Sequence, residues 1–127
     1  MDRFKFRVWN KDDETYEETT SFDCVCIDNY GQLRIYNYSD ASEKLEDYTD
    51  GYIIEQCTGL KDKNGNLIYE NDVLFDGEFC GQVIWKDGCW LVEMTLYDGD
   101  KSYEHLDQHF AKYGEIISNI HEQKDNK

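Results

Sequence analysis

The sequence predicts a mainly β protein: short antiparallel strands forming a small SH3-like barrel or twisted sheets, with one or two short helices. Three observations carry this. Aromatics make up 15% of the chain, as ten Tyr, six Phe and three Trp, and such side chains fit a pleated, half-buried surface. Ala, the best helix former, occurs only at Ala41 and Ala111. Apolar and polar residues alternate in short runs between Gly, Asn and Asp clusters, which must supply the turn chemistry because the chain has no Pro. The mean hydropathy of −0.82 and the net charge of −15 point toward disorder. The aromatic content and the alternation outweigh them. At 127 residues one domain is expected, burying about two-thirds of the surface its unfolded chain exposes.

The elements follow in order. Arg3 to Trp9 alternates, with Phe4, Phe6 and Val8 on one face and Arg3, Lys5, Arg7 and Trp9 on the other, so a half-buried strand with a basic outer face is expected. Asn10 to Glu14 is a polar turn, and Thr15 to Thr20 a connection or weak strand. Ser21 to Ile27 and Gln32 to Tyr38 read as strands joined by Asp28-Asn29-Tyr30-Gly31. Ser39-Asp40 could cap a turn or two of helix through Leu45. Tyr52 to Cys57 is a strand, and Asn64-Gly65 is a tight-turn signal. Leu67 to Phe75 is extended, broken at Glu70-Asn71-Asp72. Phe79 to Trp85 pairs with Cys89 to Thr95 across Lys86-Asp87-Gly88, the clearest hairpin in the chain. Tyr103 to Phe110 is read as a short helix, Ile116 to Ile120 as a last strand, and residues 123–127 as a frayed polar tail.

Charge and composition exclude several classes. The 28 acidic residues exceed the 13 basic ones, which disfavours direct binding to nucleic acid or an anionic membrane. No apolar run approaches the roughly 18–20 residues of a membrane helix. The N-terminus lacks the apolar stretch of an export signal. With five Cys, at 24, 26, 57, 80 and 89, a reduced, cytoplasmic protein is expected, its cysteines acting as small core residues of strands.

Sites of chemistry are sparse. Cys24-Val25-Cys26 lacks the two-residue spacing of a zinc ribbon. His105 and His109, four apart, would share a helix face as two metal ligands do, but Leu106 stands where a metalloprotease helix has glutamate. Asp98-Gly99-Asp100 and Asp12-Asp13-Glu14 do not fit a twelve-residue calcium loop. No Ser lies in a nucleophile elbow and no Gly-rich run forms a phosphate loop. No catalytic residue, cofactor or metal is therefore assigned. Arg3, Lys5, Arg7 and Trp9 are the one local candidate for a nucleic-acid surface, and a strand face of this kind is more often solvated or paired with neighbouring carboxylates.

The residues also carry a resemblance. Lys5-Phe6-Arg7-Val8-Trp9-Asn10, then Gln56-Cys57-Thr58-Gly59-Leu60-Lys61-Asp62-Lys63-Asn64-Gly65 and Ile68-Tyr69-Glu70-Asn71-Asp72-Val73, resemble the YopX-like family of phages and prophages of Gram-positive bacteria. Gly81-Gln82-Val83-Ile84-Trp85 and the segment Gly114 to Glu122 extend the likeness over most of the chain outside Thr15 to Asp50. Members usually have Gly where Asn71 stands, and Asn tolerates the same left-handed backbone. The resemblance implies one domain over residues 1–127. It has variable strands in 1–55, a barrel-like part in 56–122, and a tendency to form large homo-oligomers with no known activity.

The function expected is that of a non-enzymatic phage or prophage binding or assembly protein forming a homo-oligomer in the host cytoplasm, with a host protein as a further partner. A domain this small cannot hide 19 aromatics on one inner face, and Tyr and Trp are enriched at interfaces. Trp9, Tyr36, Tyr38, Trp85 and Trp90 are the interface candidates. The alternative is an acidic protein that imitates the phosphate backbone and blocks a host nucleic-acid-binding protein.

Overall fold

The computed structural model describes residues 2–17, 23–37, 46–47 and 51–122. They are mainly β, with one short α-helix, and the antiparallel sheets include one curled into a half-barrel. The chain forms two compact units, one of Arg7–Ile54 and one of Met1–Phe6 with Glu55–Lys127. No helix among the described residues is long and apolar enough to cross a membrane.

In the smaller unit, β1 (Phe6–Asn10) pairs antiparallel with β2 (Thr15–Tyr16). The expected strand from Arg3 is shortened, because Asp2–Phe4 forms a 3-10 turn and Phe4 is 64% exposed. Nor is the outer face of β1 simply basic. The Arg7 guanidinium lies 4.5 Å over the Tyr16 ring, and Trp9 meets the same ring edge-on at 5.0 Å. The buried Asn10 organises the turn between β1 and β2: its Oδ1 accepts from the N–H groups of Asp12 and Asp13, and its Nδ2 donates to Glu17 at 2.7 Å. A second sheet runs in the order β3 (Asp23–Ile27), β4 (Leu33–Asn37), β5 (Glu46–Asp47). The turn predicted at Asp28 to Gly31 closes its hairpin. Asp28 accepts from the N–H groups of Gln32 and Tyr30 at 2.9 Å and from the Arg34 guanidinium at 3.2 Å. These donors, Gln32 first, hold the Asp28 carboxyl below the usual carboxylate range against the opposing effect of burial. The helix expected from Ser39 to Leu45 and the tail at 123–127 lie outside the described residues.

In the larger unit, β6 (Tyr52–Lys61), which begins in the smaller one, pairs with β7 (Leu67–Tyr69). Gly59 (φ +86°) sits where the register slips, and Thr58 bridges the slip by donating to the Ile68 carbonyl at 2.8 Å. The Asn64-Gly65 turn forms as expected, with only Gly65 at positive φ. Its hub is Asp62, 4% exposed. One Asp62 oxygen accepts from Asn64 and Asn66 N–H, and the other from Ile116 N–H, which ties the turn to the last strand.

Five strands form the main sheet, in the order β11 (Lys101–His105), β10 (Cys89–Thr95), β9 (Cys80–Lys86), β8 (Asp72–Phe75), β12 (Glu115–Asn119). The β9–β10 hairpin is the predicted one, with Asp87 and Gly88 both at positive φ as a two-residue turn requires. Gly81 on β9 is required by crowding: a Cβ there would stand 2.6 Å from a Val92 methyl and 2.7 Å from the Glu93 carbonyl. The core packs Ile68, Leu74, Val83, Val92, Met94, Leu106 and Phe110, with Leu60, Trp90 and Ile116 against its edge.

The helix read at Tyr103 to Phe110 is corrected. Lys101–His105 is strand β11, joined to β10 at five register positions, and α1 spans Gln108–Tyr113. Asp107 caps α1 by accepting from His109 N–H, and Phe110 enters the core at 2% exposure. Pairing with β10 decides this segment, which has no helical stripe of its own.

Candidate functional site

Two polar centres stand out in the larger unit. The first is closed. Glu55 on β6 is fully buried, and its carboxylate lies 2.9 Å from His121 Nε2 just beyond β12. Asn71 donates to the same oxygen at 2.7 Å and accepts from Gln82 at 3.0 Å. Asn71 adopts φ +72° in the tight turn between β7 and β8. Asn71 thus holds a left-handed backbone and adds a side chain that donates to the buried Glu55. The His121 side chain is only 6% exposed. This arrangement joins β6, the β7–β8 turn, β9 and the end of β12.

The second centre is open. A groove of about 560 Å³ is lined by Asp76, Glu78 and Phe79 from the β8–β9 turn, Tyr103 to His105 from β11, and Asp107, His109 and Phe110 at α1. Its rim carries four carboxylates, at Asp76, Glu78, Glu104 and Asp107, and two imidazoles. Phe79 is 57% and Tyr103 40% exposed, and the Lys86 ammonium sits 4.2 Å over the Tyr103 ring. Asp76 accepts from Phe79 N–H at 2.8 Å and Glu78 N–H at 3.0 Å, while His109 Nε2 lies 3.4 Å from its other oxygen. The Phe79 and Glu78 donors lead in holding the Asp76 carboxyl below its ordinary range, with His109 adding to them and partial burial opposing.

The residues singled out from sequence scatter. His105 ends β11 and His109 is in α1, so they do not share a helix face, though both line the open groove. Among the described residues no three His, Cys, Asp or Glu side chains converge to hold a metal ion. All five Cys lie in strands. Cys57 is buried as a core residue, but Cys80 is exposed, contrary to expectation, because it opens β9 at the rim of the sheet. Of the interface candidates, Trp85 is 54% exposed and meets Trp90 edge-on at 5.0 Å. Trp90 packs against the core. Trp9 is only 7% exposed, so it offers little free surface. The Tyr36 backbone pairs with that of Cys24 in the β3–β4 register, and Tyr38 lies outside the described residues. Sequence reasoning missed Glu55, Asn71 and His121 as a unit and missed the groove. Both are assembled from distant segments, and the aromatics Phe79 and Tyr103 do not show their exposure in sequence.

The two centres sit in a mainly β protein whose antiparallel sheets include a half-barrel. The family model described as YopX protein matches residues 5–125, and the chain belongs to that family. Among solved structures, protein EF1440 from Enterococcus faecalis is similar at 23% identity, covering 96% of each chain with a TM-score of 0.56. The protein yopX from Bacillus subtilis is similar at 15% identity over 92% of each chain, with a TM-score of 0.53. At these identities the likeness is one of fold. None of the curated proteins matches this chain.

Proposed function

We propose that this is a non-enzymatic binding and assembly protein of phage or prophage origin, working as a homo-oligomer in the cytoplasm of its bacterial host. The observation that supports this best is the Trp85–Trp90 pair. Trp90 is anchored on the core and holds Trp85 outward on a rigid hairpin. Rigid, exposed aromatics of this kind are the anchors that dominate protein interfaces. The family resemblance points the same way.

The test is light scattering behind size exclusion, at low and high salt, on the wild type and Trp85→Ala. A salt-resistant oligomer that Trp85→Ala shifts to smaller species is expected, since an aromatic contact is little screened by salt. A wild type that is monomeric at both salts overturns the proposal. A monomer that captures a basic host protein only at low salt would favour phosphate mimicry instead.

A further inference from the structure

The groove along β11 has a direction and a charge. Side chains alternate across a strand, so a surface facing one side of a sheet is lined by every second residue. This groove is lined by three consecutive ones, Tyr103, Glu104 and His105. It therefore runs along the edge of the strand rather than over its face. Among the described residues β11 has a partner on one side only, β10.

The phase of the ladder shows which backbone groups meet the groove. Leu106 N–H donates to the Trp90 carbonyl, and Leu96 N–H to the Asp100 carbonyl. Hydrogen-bonded positions recur every second residue in an antiparallel ladder. Ser102 and Glu104 therefore exchange bonds with β10, opposite Met94 and Val92. The N–H and C=O groups of Lys101, Tyr103 and His105 point away from β10, to the free edge. An open edge of this kind is a template for an added strand.

We propose that this edge is a docking site for an extended cationic segment of a partner protein, which adds a strand beside β11. Alternate side chains of that segment would rest on Phe79 and Tyr103, and its Lys or Arg residues would meet Glu78 and Glu104. Charge complementarity selects this occupant. The rim bears four carboxylates, and a second copy of a chain at −15 is repelled by it. This chain's own basic strand is also committed: Lys5 accepts from Cys57 N–H, and β1 pairs with β2. Neither Trp85 nor Trp90 lines the groove, so the proposal stands whether or not that pair assembles copies.

The test titrates the isotope-labelled full chain with a capped Lys-Phe-Lys-Phe-Lys peptide, followed residue by residue by NMR, with a Glu-Phe-Glu-Phe-Glu peptide as the opposite charge. Shifts confined to residues 76–79 and 101–110, seen only with the Lys peptide, are expected. The exposed pair Glu78→Lys and Glu104→Lys should weaken binding roughly tenfold or more, whereas Glu122→Lys, outside the groove, should leave it unchanged. Tyr103→Pro removes an outward N–H, a position where an edge strand tolerates Pro, and should also abolish the shifts. Overturning results are equal binding of both peptides, Lys-peptide shifts elsewhere that survive Glu78→Lys and Glu104→Lys, or no binding at millimolar peptide. The same shifts on concentrating the protein alone would make the occupant a second copy and would overturn the proposal too.

Discussion

The two polar centres of the larger unit use the same residue types to opposite ends. In the Glu55 centre, carboxylate, imidazole and two amides are drawn from segments up to 66 residues apart, with the carboxylate and imidazole buried and the amides half-buried around them. In the β11 groove, carboxylates and imidazoles ring a space of about 560 Å³ beside exposed aromatics. Burial makes the difference. A desolvated charge must be matched inside the protein, so its partners become fixed structure. An exposed carboxylate is solvated already and stays available to a ligand. The first centre is a brace, and the second is a surface that can be occupied.

The contrast breaks most sharply at Glu55. Glu55→Ala takes this acceptor from His121 and from the half-buried Asn71, and the loss should be about 2–4 kcal/mol, read by urea denaturation. An equivalent truncation at the groove, Glu78→Ala, should move stability by less than about 0.5 kcal/mol. Asn71 sharpens the comparison. Asn71→Ala loses the bond to Glu55 and strains a left-handed backbone, whereas Asn71→Gly loses only the bond. We expect roughly 2 kcal/mol for Ala and about 1 kcal/mol for Gly, and Ala no worse than Gly would mean that the turn relaxes. The smallest effect is at Asp76. Its carboxyl is held below the ordinary range, so its stabilising contribution is complete above the unfolded carboxylate value, about pH 4, and is lost as pH falls through the folded value. Asp76→Asn should therefore flatten the fall in stability below about pH 4 while lowering stability slightly at neutral pH. Thermal melts across that range read the slope.

Much of the fold was legible where local chemistry decides it. Asp87-Gly88, Asn64-Gly65 and Asp28 to Gly31 each close a hairpin at the predicted place, because positive φ and side-chain to backbone bonds are properties of the turn residues themselves. The family was legible for the same reason, since its motifs are turns and their flanking strands. What failed was decided at a distance. Tyr103 to Phe110 looked like one helix, and pairing with β10 made its first part a strand. Phe4 looked like a core residue, and a 3-10 turn left it exposed. The Glu55 centre left no sequence signal, because Glu55 is one of 28 acidic residues and only the fold brings it to His121. His105 and His109, by contrast, stood out in the sequence as a helical ligand pair, and the fold places them in the groove instead.

Residue-resolved amide hydrogen exchange on the full chain, without any ligand, tests the open edge most directly. If β11 is the free edge of its sheet, exchange should alternate along it. The amides of Ser102, Glu104 and Leu106 should be protected, and those of Lys101, Tyr103 and His105 should exchange far faster. Uniform protection from Lys101 to Leu106 would mean that the edge is already occupied, and would contradict the claim that this protein presents an open strand to a partner.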